Sequence, residues 1–226
     1  MSKVVFTLLL ALVLAGCGGG RGSASKGTAT LWVTRDRGRQ VVYAGQVPAG
    51  LSAMQALERK LKVTTRYGGR FAQSIGGVSG SVSSQHDWFY FVNGIEADAS
   101  AAAIRLRPGD VEWWDYRSWA GSAMSVPVVA GAFPEPFVHG FDWARPGVEV
   151  IGGDPSVAKS VARAAHGTVG VNGASPNRIS IDATAPAGTV RIARHGNGVW
   201  LTLGTAAAAR LAQDPHALRF HFGTVT

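Results

Sequence analysis

The stretch Asp87-Trp88-Phe89-Tyr90-Phe91-Val92-Asn93-Gly94 sets five consecutive large apolar or aromatic residues between an aspartate and an Asn-Gly pair. Aromatic and β-branched residues favour strands, and Asn-Gly favours the tight turn of a hairpin, so the stretch predicts a strand ending in a turn. Alternation sends Trp88, Tyr90 and Val92 to one face of that strand and Phe89 and Phe91 to the other. Both faces carry large rings, so neither is a fully solvated face. Two arrangements satisfy this: one face forms the core while the other packs on the rest of the protein, or one edge of the sheet is a platform for a large, flat, partly apolar ligand.

Upstream, Thr28-Ala29-Thr30-Leu31-Trp32-Val33-Thr34 alternates as a strand, Asp36-Arg37-Gly38 supplies a turn, and Gln40-Val41-Val42-Tyr43 returns. Ser52 is placed to cap a helix with Met54, Leu57 and Leu61 on its apolar side. Residues 63–66 and 70–75 read as short strands joined at Gly68-Gly69, and 76–84 as a Gly/Ser-rich loop. Residues 97–103 read as a loop or one helical turn. Downstream, Arg107-Pro108-Gly109-Asp110 turns into the strand Val111-Glu112-Trp113-Trp114-Asp115-Tyr116. Residues 28–119 thus predict an α+β unit of five or six strands with one helix packed on a curved sheet.

Residues 120–136 read as a linker, ending in Phe133-Pro134-Glu135-Pro136. Residues 137–226 predict a second, small α/β unit. Its strands are expected at 148–151, 178–181, 190–193, 199–203 and 218–222, and its helices at 154–165 and 206–211. Five of the seven tryptophans lie at positions 32 to 119.

The 226 residues are 46% hydrophobic and 16% charged, which suits folded domains rather than a disordered or fibrous chain. One cysteine excludes a disulfide scaffold and a cysteine-based zinc site. That cysteine, Cys17, follows Met-Ser-Lys, an apolar run at 4–14 and Ala15-Gly16, the layout of a signal peptide too short to span a bilayer. Leu14-Ala15-Gly16-Cys17 resembles the lipobox of bacterial lipoproteins. The resemblance implies a leader at 1–16, acylation of Cys17 and a Gly/Ser tether at 17–27. More than one acyl chain on one residue gives the stable anchor that a single chain cannot. The expected location is therefore extracytoplasmic, lipid-anchored to the bacterial cell membrane. There the net charge of +8 faces anionic lipid or cell-wall polymer, and no nucleic-acid partner is expected.

Residues 28–119 as an ordered set resemble the transcobalamin-like C-terminal domain, the β-grasp-like domain that closes over cobalamin in transcobalamin and intrinsic factor and also occurs in bacterial surface proteins. The resemblance is carried by the helix after Leu51-Ser52, by Gly68-Gly69-Arg70-Phe71-Ala72-Gln73-Ser74-Ile75-Gly76-Gly77, by residues 88–94, and by Pro108-Gly109-Asp110-Val111-Glu112-Trp113 ending at Ser118-Trp119. It implies ligand contacts at Tyr67, Gly68, Gly69, Arg70, Phe71 and Ala72, and at Trp88, Phe89 and Tyr90. Two positions depart from the carriers: Phe89 stands where a glutamine is usual, removing one amide, and Gly68 where intrinsic factor has an aromatic. The helical α/α-barrel domain of the carriers is absent from this chain.

No Gly-x-Ser-x-Gly elbow, His-Glu-x-x-His helix or phosphate-binding loop is present, and an acylated Cys17 leaves no thiol nucleophile. Glu112 and Asp115 differ by three along a strand and face opposite sides. His216 and His221 are likewise on opposite faces, and His86 borders the aromatic strand. The expectation is a non-enzymatic surface lipoprotein that needs no cofactor and captures cobalamin or a related corrinoid, with a membrane transporter as a possible partner. The alternative is an interaction or structural domain that docks another envelope protein.

Overall fold

A computed structural model of the protein describes residues 27–121, 125–141, 147–173 and 175–225. The leader at 1–16, Cys17 and the tether up to Lys26 lie outside the described residues. No helix among the described residues is long and apolar enough to cross a membrane.

The first unit is built on a hairpin, β1 (Thr28–Arg35) and β2 (Gln40–Pro48). It continues with α1 (Ala53–Glu58), β3 (Val63–Arg66), β4 (Phe71–Ile75), β5 (Val78–Ser79), β6 (His86–Val92), β7 (Ile95–Glu96) and β8 (Val111–Ser118). Five strands form one sheet in the order β2-β1-β8-β6-β7, and β3-β4-β5 form a second, smaller one. β8 runs parallel to β1 at the centre of the larger sheet and antiparallel to β6. This is an α+β layout with the order of a β-grasp sheet: a hairpin, a helix, and a last strand returning beside the first.

Local signals account for much of this. Ser52 caps α1 reciprocally, its hydroxyl accepting from the Gln55 N–H at 3.1 Å while the Gln55 side chain accepts from the Ser52 N–H at 2.9 Å. The helix ends at Glu58, earlier than the apolar spacing suggests, and Leu61 follows in the turn after it. Asn93 and Gly94 both have positive φ, at 51° and 76°, as the tight turn between β6 and β7 requires.

The larger sheet is covered on both faces. Ala29, Leu31, Val33, Trp88, Tyr90, Val92 and Trp114 meet α1 and the small sheet. Trp32, Phe91 and Trp113 point the other way, onto Val126, Val129 and Phe222. The two-faced aromatic strand is thus a middle layer between two cores, and burying each such ring stabilises the fold by about 1.5–3 kcal/mol.

The second unit comprises β9 (Glu149–Gly152), α2 (Pro155–Ala164), β10 (Thr168–Val169), β11 (Arg178–Asp182), β12 (Val190–His195), β13 (Gly198–Gly204), α3 (Thr205–Gln213) and β14 (Thr224–Val225). Its sheet has the order β10-β9-β11-β13-β12-β14, with β9, β11 and β13 parallel and β12 antiparallel to β13. Asp154 caps α2 ahead of Pro155. α2 and α3 bury Ala158, Val161, Ala207 and Leu211 against Val150, Ile179, Leu201 and Leu203.

One expectation is corrected. Residues 218–222 are not a strand: Phe220 has φ 65° and the N–H groups of Arg219 and His221 close turns onto His216 and Leu218. Their rings leave the second unit, Phe220 lying 5.0 Å from Trp32 and Phe222 5.0 Å from Trp113. The connecting segment is buried: Val128, Phe133 and Phe137 enter the second unit's core while Val126 and Val129 enter the first unit's.

Candidate functional site

β6 is hydrogen-bonded along its length to β8 on one side, but on the other β7 pairs only with Phe91 and Val92. Ala97 N–H adds one bond to the Tyr90 carbonyl, leaving residues 87–89 without a partner strand among the described residues. Side chains from both faces of the sheet reach this open edge, and a cleft of about 1040 Å³ runs along it. Asp87, Trp88, Phe89, Tyr90 and Trp114 form its floor, and Arg70, Phe71, Ala72 and the 97–101 loop form one side. The connection contributes Pro127, Pro136 and Phe141, and the second unit supplies the far wall through Asn177, Arg194, Asn197 and Val199.

The floor is rigidly held. The Trp88 indole donates to the Val78 carbonyl at 2.8 Å and its ring lies 5.2 Å from Tyr116. Tyr90 stacks on Trp114 at 4.7 Å and donates its hydroxyl to the Ala99 carbonyl at 2.5 Å. Ser100 donates to the Arg70 carbonyl at 2.8 Å, tying the 97–101 loop to the start of β4. Behind Phe89, the Arg117 guanidinium sits 3.8 Å from the ring centre and pairs with Glu96 at 2.7 Å. Glu96 also accepts from the Val126 N–H at 3.1 Å, so this pair joins the floor to the connection.

Burial dominates the acid–base behaviour here. It raises the carboxyls of Asp87 and Glu96 above their ordinary range, against the opposing pull of the Trp88 N–H on Asp87 and of Arg117 on Glu96. The Tyr90 hydroxyl is pushed up by burial and then by the nearby Glu112 and Asp98. Beneath the floor, Glu112 accepts from the Trp114 indole at 2.5 Å, and its burial raises it well above the usual carboxylate value. Each of these shifts favours the neutral form.

Six of the nine positions singled out in the sequence line the cleft: Arg70, Phe71, Ala72, Trp88, Phe89 and Tyr90. Trp88 and Tyr90 are only 5% and 9% exposed, so they offer ring edges rather than an open platform. Tyr67, Gly68 and Gly69 lie outside the cleft in the β3–β4 turn, where Tyr67, 77% exposed, packs edge-on against Phe71. His86 is also outside it, stacked on Tyr116 with its Nδ1 2.6 Å from the Ser84 carbonyl oxygen. The 97–101 loop, the connection and the second unit's wall carry no motif of their own. Among the described residues no group of three or more histidine, cysteine, aspartate or glutamate side chains is placed to hold a metal ion.

The model of one protein family, described as a domain of unknown function (DUF4430), matches residues 50–118, within the first unit. No curated protein matches the chain. Among solved structures, the chain is similar to a provisionally described metal-binding protein from Ruminococcus gnavus, with 17% identity, a TM-score of 0.34, and coverage of 41% of this chain and 98% of that one. It is also similar to haptocorrin in complex with Cbi, with 14% identity, a TM-score of 0.33, and coverage of 39% of this chain and 25% of that one.

Proposed function

We propose that the protein is a non-enzymatic, membrane-anchored surface lipoprotein that captures a large, partly apolar ligand in the cleft along β6, with cobalamin or a related corrinoid as the ligand. One observation supports the reading: a cleft of about 1040 Å³ is lined by Arg70–Ala72 and Trp88–Tyr90, six of the nine positions for which the resemblance to transcobalamin-like domains implies ligand contacts. That volume stands at the upper end of the range for small-molecule sites, which suits a macrocycle better than a small metabolite. Aromatic edges at Phe71, Phe89 and Phe141 supply apolar contact, and charged and polar side chains such as Arg70, Asp98, Arg194 and Asn197 stand around them. Acylated Cys17 would hold the protein at the membrane, within reach of a transporter that accepts the ligand.

Titration of the purified protein with cobalamin, followed by tryptophan fluorescence and calorimetry, tests the reading. Saturable binding with the floor tryptophans quenched is expected. No binding at about 100 μM, a level that any useful capture protein exceeds in affinity, would sink it. Anchoring is tested separately by Cys17→Ser, which is expected to release the protein from the membrane fraction.

Docking of another envelope protein is favoured by a different feature. Tyr67 and Phe71 form an exposed aromatic pair at the rim of the first unit. A ligand-free protein that still depends on Tyr67 for co-purification with an envelope partner would support that reading.

A further inference from the structure

The far wall of the cleft belongs to the β12–β13 hairpin and the turn that precedes β11. Asn177 fixes this wall: its side chain accepts from the Val199 N–H at 2.8 Å and donates to the Gly147 carbonyl at 2.9 Å. At the turn end of the hairpin, a Cβ added at Gly198 would stand 2.1 Å from the Pro176 carbonyl oxygen, so the hairpin is pressed against its neighbour with no slack. The wall is held to the first unit as well, because Val128 and Val129 enter opposite cores and the Phe220 and Phe222 rings cross over. The backbone that carries Arg194 and Asn197 is therefore held in place before any ligand arrives.

Charges around the cleft are answered unequally. Glu96 is paired with Arg117, and Asp87 accepts from the Trp88 N–H with Arg66 near it. Arg194 and Asn197 are exposed on the far wall, and neither side chain makes a hydrogen bond or ion pair among the described residues. A guanidinium offers a planar fork of donors that matches an oxyanion, and an amide beside it adds one more donor.

We propose that Arg194, assisted by Asn197, reads an oxyanion-bearing side arm of the ligand while the ligand's apolar body lies against Phe71, Phe89 and Phe141. Because this role requires the cleft to be a ligand site, it rests on the function proposed above, and it gives the second unit a part in selecting the ligand. The aromatic body contacts come from Phe71, Phe89 and Phe141, and the second unit adds a cation and an amide across from the first unit's Arg70 and Asp98.

The test uses the full chain in detergent, as wild type and as Arg194→Ala, titrated by calorimetry with two probes. Cobalamin carries a phosphodiester in its nucleotide arm, and cobinamide lacks that arm. The wild type is expected to bind cobalamin about tenfold more tightly than cobinamide, the scale of one charge-assisted hydrogen bond. Arg194→Ala is expected to remove that preference and leave cobinamide affinity unchanged, and Asn197→Ala to reduce the preference in part. Equal affinity of the wild type for both probes, or a preference that survives in Arg194→Ala, overturns the role of Arg194 while leaving the cleft a ligand site. Binding of neither probe overturns the ligand-site reading itself and this role with it.

Discussion

A Cβ added at Gly38, in the turn of the first hairpin, would stand 2.0 Å from the carbonyl oxygen of Phe220 in the second unit. Gly38 also has φ 82°, a conformation side chains rarely adopt, and its N–H donates to the buried Asp115 carboxylate at 3.1 Å. Gly38→Ala is therefore strained twice over, by its own backbone and by the neighbouring unit. A loss of about 1–3 kcal/mol is expected in urea unfolding. Wild-type stability in this variant would show that the turn and Phe220 are not in contact in solution.

Asn93 is fully buried and satisfies three groups at once. Its amide nitrogen donates to Asp110 Oδ1 and to the Gly140 carbonyl, both at 2.8 Å, and its oxygen accepts from the Val111 N–H at 2.8 Å. Asn93→Ala strips these partners without replacement, at a cost of about 1–3 kcal/mol. Asn93→Asp is expected to cost more above pH 6, since it sets a second carboxylate against Asp110, and to recover part of that loss as the pH falls. A pair of unfolding curves at pH 5 and pH 8 checks both the size and the sign.

Glu112 predicts a pH dependence of its own. Burial raises its pKa in the folded state above the unfolded value, so the native protein holds that proton more tightly than the unfolded chain does. Stability from this group is then fully present below the ordinary glutamate range, about 4 to 5, and is lost as the pH rises from there through the raised value. Asp115, Glu96 and Glu135 are shifted the same way, again chiefly by burial. Glu112→Gln keeps a carbonyl oxygen for the Trp114 indole and removes the buried charge. It is expected to flatten the decline in stability between pH 5 and pH 8 and to be more stable than wild type at pH 8, measured by denaturant midpoint. An unchanged slope would place the pH dependence in other groups.

What the sequence discloses here is governed by distance along the chain. The Ser52 cap and the Asn93-Gly94 turn are settled by residues within three positions of each other, so each is legible from its own few letters. The aromatic run at 88–92 discloses that both faces are covered, but not by what. That answer depends on Phe220 and Phe222, some 130 positions later. Those two residues alternate like a strand in sequence, yet they turn outward and pack on Trp32, Phe91 and Trp113. The cleft divides in the same way. Its rim at 70–72 and floor at 88–90 sit in local motifs, whereas Phe141, Arg194 and Asn197 join them only when two units pack together.

Phe71 and Trp88 separate a binding surface from a core. Phe71 is 40% exposed at the rim of the cleft, whereas Trp88 is 5% exposed, with its indole donating to Val78 and its ring against Tyr116. Phe71→Ala gives up a ring that is only partly covered, so its expected loss is about 1–2 kcal/mol, smaller than that at a fully buried ring. Trp88→Ala opens a cavity beneath the small sheet and leaves the Val78 carbonyl without its donor, for an expected loss of about 3–5 kcal/mol. If the cleft takes a ligand, Phe71→Ala weakens binding while lowering the melting temperature less than Trp88→Ala does. Trp88→Phe, which keeps most of the apolar volume, retains more of both properties than Trp88→Ala does. Thermal melts run with and without cobalamin read both quantities at once. A Phe71→Ala protein that binds as wild type does would move the contact surface off the β4 rim, onto the 97–101 loop and the far wall.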